Sequence, residues 1–166
     1  MSDIVSIKRG EVSAKNSIKE GRYPFFTASK NSPERINKYS YDTNAILITI
    51  TGHFLSFLYR GKFEASDHCF VLQVKNKNLF YFLFEQLKIK LQILHKEDSG
   101  ILKTLRIQRL LNLNFPIPDD TILDKFNNIC EDIQLKIENL NKRVESSENV
   151  KKHLLNKLFS QKIRVN

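Results

Sequence analysis

The chain has 166 residues, of which 41% are hydrophobic and 10% aromatic, and its formal net charge is +9. This length suits one domain with an appendage, and this hydrophobic fraction excludes a chain that is disordered throughout. Its apolar runs are shorter than the ~18 uncharged residues that a membrane span needs. The first residues lack the basic and apolar pattern of a secretory signal, so we expect a cytoplasmic protein that does not enter a membrane.

The positive charge is concentrated in the first part of the sequence. Residues 1–118 hold 18 basic and 10 acidic side chains, a net of +8, whereas residues 119–166 hold 9 basic and 8 acidic, a net of +1. A basic domain commonly binds a polyanion, because each Lys or Arg placed against phosphates releases condensed counterions. A lysine-rich protein from an AT-rich genome would show the same excess, so charge alone leaves both interpretations open.

The first half of this basic region predicts strands joined by loops. A short strand is expected at residues 4–8, and the Gly- and Pro-containing section from Ile18 to Tyr41 excludes a long helix. Residues 44–50 are apolar and β-branched on both faces, which is typical of a buried strand.

The second half predicts two more strands and a helix. Residues 54–59 and 69–74 are strand-like, and a turn is expected at Gly61 between them. A polar cluster then caps a helix from about Leu79 to Leu94, whose apolar residues fall on one face. A loosely alternating stretch follows, and the proline-flanked segment Phe115–Pro118 closes the domain.

Residues 119–166 predict one long amphipathic helix. Asp119 and Asp120 supply a cap and a first-turn acid, and neither Gly nor Pro follows them. A helix of about forty residues extends about 60 Å, which is too long to bury its apolar stripe on the preceding domain, so it needs another helix. Folding back as a hairpin at Ser146–Ser147 is the alternative. The expected seam is Ile129, Ile133, Ile137, Leu140 and Val144, with Leu154, Leu155 and Leu158 as an outer layer.

The sequence carries none of the common nucleotide-binding, hydrolase or base-methylation motifs. Asp67, His68 and Cys69 bring three catalytic residue types together, but adjacent residues entering a strand point to alternate faces. The remaining histidines and the second cysteine show no metal-ligand spacing. We therefore expect a non-catalytic chain with no metal site and no cofactor of its own.

Basic residues in the Gly- and Pro-containing section alternate with tyrosines, and a second basic stretch surrounds Gly61. Arg and Lys can bond guanine and Asn can bond adenine in the major groove, while Lys also neutralises phosphates. A single residue of this kind is more often an ordinary solvated side chain, so the group carries the signal. The candidate DNA-binding residues are Arg22, Lys30, Asn31, Arg35, Lys38, Tyr59, Arg60 and Lys62.

A family resemblance is carried, in order, by Asp3–Gly10, Glu20–Lys30, Ala45–Thr49, Gly61–Leu72 and Phe115–Pro118. Together these segments resemble a target recognition domain from the DNA specificity subunits of type I restriction–modification systems. In that family a long helix follows the proline-flanked exit and packs in an antiparallel coiled coil. The expected fold is thus mixed α/β, with a DNA-binding target recognition domain at 1–118. A long coiled-coil helix at 119–166 would serve dimerisation and methyltransferase docking.

The resemblance also implies a function and partners. Family members usually carry two recognition domains and two conserved helices, whereas this sequence has one of each and resembles a half-subunit. We expect a non-catalytic subunit that recognises a bipartite site in double-stranded DNA as a homodimer. It would position a methyltransferase there, with or without a restriction subunit. The methyl donor S-adenosylmethionine would belong to the methyltransferase partner.

Two alternatives stay open. The chain could be a truncated recognition cassette that binds no methyltransferase, or a protein-interaction adaptor whose basic face binds an acidic partner. It departs from the family at Asp119, where Gln is customary, and near His53, where a Gly-rich stretch is reduced to Gly52. Since base-reading residues vary within the family, the resemblance does not supply the DNA target.

Overall fold

The computed structural model describes residues 1, 3–30 and 33–160. The chain divides into two compact units, which separate between Leu123 and Asp124. The first unit holds the sheet and two helices, and the second holds most of the long C-terminal helix. Within the described ranges, no helix combines the length and apolar character that crossing a membrane requires.

The described part of the first unit contains one mixed six-stranded sheet. Its strands lie in the order β1-β6-β4-β5-β2-β3, and β5 with β2 is the parallel pair. This sheet and the helix that follows confirm the expected mixed α/β fold with a long C-terminal helix. The strands are β1 (Val5–Arg9), β2 (Tyr23–Phe26), β3 (Glu34–Ile36), β4 (Tyr41–Thr49), β5 (Ser56–Ala65) and β6 (Cys69–Val74).

The central strand β4 is buried on both faces, as its apolar run predicts. Ala45 and Leu47 belong to a core cluster that includes Phe26 and Phe63. Ile46 and Ile48 point to the opposite face because side chains alternate along a strand, and they too are fully buried. Burial on both sides explains why this segment is continuously hydrophobic rather than alternating.

The turn expected at Gly61 is wrong. Gly61 lies inside β5 opposite Thr43, with a φ of +115° that residues with a Cβ rarely adopt. Glycine within a strand commonly marks a bend, and here β5 continues past it to Ala65. The continuation brings Phe63 and Ala65 into the same core cluster as Cys69, the first residue of β6.

The described residues form three α-helices: α1 (Phe80–Glu97), α2 (Ile107–Leu111) and α3 (Asp120–Phe159). A 3₁₀ turn at Lys77–Leu79 precedes α1, and the Asn76 side chain accepts a hydrogen bond from the Asn78 amide at 3.0 Å. The predicted polar cap and helix are therefore confirmed, with α1 extending three residues beyond Leu94. The short helix α2 lies within the loosely alternating stretch.

The helix α3 is continuous over 40 residues, from Asp120 to Phe159. Asp119 caps it, since its Oδ1 accepts a hydrogen bond from the Ile122 amide at 3.0 Å. Ser146 and Ser147 lie inside this helix, so the hairpin alternative is wrong. The seam residues keep between 45% and 62% of their surface exposed, and coiled-coil pairing of the helix stays a prediction.

Candidate nucleic-acid interface

Two tyrosines and two cations form a continuous series of ring contacts, here called the tyrosine–cation chain. Tyr23 at the start of β2 and Tyr39 after β3 meet edge to face, with ring centroids 4.8 Å apart. The Arg22 guanidinium carbon lies 5.5 Å from the Tyr23 centroid, and Lys62 Nζ lies 4.9 Å from the Tyr39 centroid. Each exposed contact of this type contributes about 0.5–1 kcal/mol. The aromatic pair thus contacts two cations, one just before β2 and one on β5.

A close approach of the backbone creates this arrangement. A Cβ on Gly21 would lie 2.2 Å from the Ile36 amide nitrogen, so only glycine lets the chain entering β2 pass this near to β3. The Arg22 amide donates to Asn37 Oδ1 at 3.2 Å, which fastens the residue before β2 to the one after β3. These contacts fix the backbone positions from which Tyr23 and Tyr39 meet.

The Lys62 side chain is exposed and firmly protonated. A hydrogen bond with Tyr39, electrostatic attraction to that side chain and the carboxylate of Asp42 together raise the pKa of Lys62 above its ordinary value. Asp42 lies directly opposite Lys62 in the β4–β5 ladder. The tyrosine–cation chain therefore presents a fixed positive charge at neutral pH and above.

Two further predicted DNA-binding residues lie near this group in the fold. Lys38 is exposed and directly precedes Tyr39. Arg35 is half-buried on β3, paired with Pro24 of β2. The structure thus brings Arg22, Arg35, Lys38 and Lys62 to the β2–β3 part of the sheet.

The remaining candidates of this group lie elsewhere. The Tyr59 ring packs into the core cluster, 5.3 Å from Phe26 and 5.6 Å from Phe63 between centroids. Arg60, half-buried on β5, donates from Nη1 to the hydroxyl of Tyr81 on α1 at 3.4 Å. Asn31 lies outside the described residues. A role in DNA binding for all of these residues stays a prediction.

Lys30 belongs to a different group, here called the histidine–lysine cluster, with His53, His95 and Lys103. The two imidazoles stack, with centroids 5.2 Å apart and planes 15° apart, and Phe54 meets His95 edge-on. Lys103 Nζ donates to the His95 carbonyl oxygen at 2.6 Å. The charge of Lys30 is the main cause that lowers the pKa of His53 below 6.5, followed by loss of hydration, His95 and Lys103.

Sequence reasoning missed this cluster. Strands β5 and β6 and most of helix α1 lie between His53 and His95 along the chain, so no short sequence spacing connects the two residues. The sequence did contain one indication of this cluster. Both histidines lie near the end of a helix or strand, and residues at such ends can converge in space.

The triad-like sequence Asp67-His68-Cys69 provides no reactive thiol. Cys69 is fully buried, and its burial raises the pKa of the thiol to about 12, more than a hydrogen bond with Ser66 lowers it. A thiol nucleophile must be a thiolate, so Cys69 stays protonated at neutral pH. In the parts of the chain that the structure describes, His, Cys, Asp and Glu form no group of three or more able to hold a metal ion.

Comparison with known proteins identifies the family. Residues 1–146 match the family described as the type I restriction modification DNA specificity domain. The chain therefore belongs to that family, and the resemblance expected from the sequence is confirmed.

Curated relatives agree. A putative type I specificity subunit of Mycoplasma pneumoniae, S.MpnORF201P, is 30% identical over 181 aligned residues, covering 99% of this chain and 74% of the relative. The EcoDI specificity subunit of Escherichia coli is 30% identical over 91 residues, covering 53% of this chain and 20% of the relative. This chain covers 20%, 34% and 59% of the first three relatives that it matches, so it spans only part of their length.

Solved structures support the fold. The S subunit of a type I restriction–modification system from M. genitalium superposes with a TM-score of 0.73 at 19% identity, covering 96% of this chain and 44% of that one. The HsdS subunit from Thermoanaerobacter tengcongensis gives 0.57 at 13% identity, covering 84% and 37%. At these identities the likeness concerns the fold.

Proposed function

We propose that this chain is a sequence-specific DNA-recognition subunit of a type I restriction–modification system, with no catalytic activity of its own. The observation that carries the proposal is the family match over residues 1–146. The net charge of +8 on residues 1–118 and the tyrosine–cation chain support it, because DNA recognition needs both a positive surface and positioned donors.

The tyrosine–cation chain supplies donors of two kinds. The Arg22 guanidinium can bond guanine O6 and N7 together, which distinguishes this base in the major groove. Lys62 and Lys38, the residue before Tyr39, neutralise phosphates and set the register of the domain on the duplex. Because Tyr23 and Tyr39 already hold Arg22 and Lys62 in place, less side-chain freedom is lost on binding.

The apolar stripe of α3 pairs with the same stripe of a second copy. Its residues stay about half exposed in the single chain, and residues 119–166 carry a net charge of only +1, so two copies repel each other little. A twofold antiparallel pair would place one recognition domain at each end of helices about 60 Å long.

Such a homodimer recognises a symmetric, interrupted duplex site, since the symmetry of a DNA site mirrors that of the protein. The paired helices then set the gap between the half-sites. The same subunit docks a methyltransferase, which contributes S-adenosylmethionine and the chemistry, and a restriction subunit where the system has one.

The test is selection of duplexes from a random library by the purified full chain, alone and with its methyltransferase partner. The expected result is enrichment of an interrupted palindrome, with an affinity that falls steeply with log salt and keeps a base-specific part. Equal binding of all duplexes, in both arms, would overturn the proposal. Binding that competes fully with an acidic protein and shows no base preference would instead indicate an adaptor.

A further inference from the structure

The histidine–lysine cluster is separate from the tyrosine–cation chain, and of its members only Lys30 is among the candidate DNA-binding residues. We propose that Lys30, His53, His95 and Lys103 form a second DNA contact, which binds a backbone phosphate and takes up one proton when it does so. This inference rests on the proposed function, since it names a further contact of the same DNA-binding domain.

Four separate segments bring the cluster together. Lys30 follows β2, His53 lies in the β4–β5 connection, His95 is near the end of α1, and Lys103 lies between α1 and α2. Residues from distant parts of the chain therefore converge on one place, as they do in built binding sites.

Backbone hydrogen bonds hold two of these segments against each other. The Gly52 amide donates to the Lys103 carbonyl at 3.1 Å, and the Leu105 amide donates to the Ile50 carbonyl at 2.7 Å. Thr51 and Thr104 form an antiparallel bridge between them. The connection that carries His53 and the connection that carries Lys103 are thus one paired piece of structure, and the cluster is ordered before any ligand arrives.

The charges of the cluster favour the binding of an anion. The groups whose charges act on His53 are Lys30, His95 and Lys103, all of them basic. The acids nearest to His95 in sequence, Glu97 and Asp98, face Arg109 instead, at 3.0 and 4.0 Å. Convergent cations repel one another, and a phosphate oxygen bound among them would relieve that repulsion. His53 is exposed, so its ring is accessible to a duplex.

The same arrangement couples binding to protonation. In the free protein, the charge of Lys30 lowers the pKa of His53, which favours the neutral ring. A phosphate beside the ring favours its charged form and raises this pKa. One proton then passes from solvent to an imidazole nitrogen of His53, and the phosphodiester keeps its charge. By linkage, affinity rises as pH falls through the interval between the two pKa values, and it is level above and below that interval.

The experiment measures the affinity of the full chain for a fluorescein-labelled duplex of mixed sequence, at constant salt, from about pH 8 to about pH 5.5. The wild-type chain should bind about three- to tenfold more tightly at the acidic end, because binding favours the protonated ring of His53. His53→Gln should remove most of this rise. His68→Gln is the matched control, since it also removes one partly exposed histidine, and it should keep the rise.

Lysine variants give a readout that does not depend on pH. Lys103→Ala and Lys30→Ala should each reduce the slope of log affinity against log salt by about one. Identical pH profiles and salt slopes for the wild type and the cluster variants would overturn this inference and leave the proposed function standing. A wild-type chain that binds no duplex at any pH would overturn both.

Discussion

The ammonium of Lys62 lies 4.9 Å from the centre of the Tyr39 ring, which itself packs edge-on against Tyr23. We expect Lys62→Ala to weaken binding to all duplexes alike and to reduce the salt slope by about one, because a phosphate contact is lost. Fluorescence anisotropy at several salt concentrations measures both quantities.

The matched control for this change is Lys8→Ala. Lys8 is an exposed lysine on β1, at the opposite end of the strand order from β2 and β3. It should leave the salt slope nearly unchanged. If both variants reduce the slope equally, the positive surface acts as a whole and the tyrosine–cation chain has no special part in binding.

Gly21→Ala should destabilise the recognition domain. The added Cβ would lie 2.2 Å from the backbone nitrogen of Ile36, and a backbone atom cannot move aside as a flexible side chain can. Overpacking of this kind costs about 1–3 kcal/mol in the free energy of unfolding. Urea denaturation measures it. Gly100→Ala serves as the control, because its Cβ would meet only the Asp98 carboxylate, at 3.1 Å, and the Leu102 carbonyl, at 3.7 Å. Equal stability of both variants would contradict the assignment.

Two carboxylates placed on the seam of α3 test whether this helix pairs with the same helix of a second copy. The double variant Ile133→Asp, Ile137→Asp should shift the full chain from a dimer, near twice 19.4 kDa by light scattering, to a monomer. Buried unpaired carboxylates oppose association, since each loses its hydration. Asn128→Asp with Asn139→Asp adds the same charge on the opposite side of the helix, at 100° per residue, and should leave the dimer intact. A wild-type monomer at all concentrations would refute self-pairing.

Cys69 should resist alkylation in the folded protein. With a pKa of about 12, the thiolate is about one part in ten thousand at pH 8, and the side chain is fully buried. In a Cys130→Ser background Cys69 is the single thiol, so the rate of iodoacetamide labelling reports on it alone. Labelling should become fast only in denaturant. Equally fast labelling without denaturant would show that the thiol is accessible and reactive.

The pKa of His53 should respond to Lys30. Lysine charge disfavours the imidazolium, so Lys30→Ala should raise the pKa of His53 toward 6.5. The pH titration of the His53 ring protons by NMR measures this. Lys8→Ala removes a lysine that is not among the groups shifting the pKa of His53, so it should leave the titration unchanged. No shift in the Lys30 variant would mean that the two side chains do not share a cluster.

Much of the fold follows from local pattern. The apolar run of β4, the polar cap before α1 and the Asp119 cap of α3 each predict their element, because they depend on neighbours in sequence. Gly61 shows where this reasoning fails. Glycine readily adopts a positive φ, which suits both a turn and a bend within a strand. Only the pairing of Gly61 with Thr43 shows that the bend within the strand is the correct interpretation.

The candidate site is less predictable for a related reason. Basic residues in loops can be found from composition, but their grouping depends on tertiary contacts. Arg22 and Lys62 each contact one ring of a tyrosine pair, whereas the charge of Lys30 acts on His53. The ring of Tyr59 packs against the core cluster. None of these groupings follows a periodic pattern in the sequence. The candidate residues could therefore be identified from the sequence, but their division between the two surface groups and the core could not.

The short strand β3 has a mechanical consequence for recognition. It pairs through only three residues with β2, whereas the ladder of β4 with β5 runs from Tyr41 to Ile48. We therefore expect the β2–β3 ladder to open at a lower free energy than the β4–β5 ladder, so that the amides of β3 exchange with solvent before those of β4. Arg22 lies just before β2 and Lys38 shortly after β3, so opening of this short ladder would separate the two cations while the core around β4 stays folded.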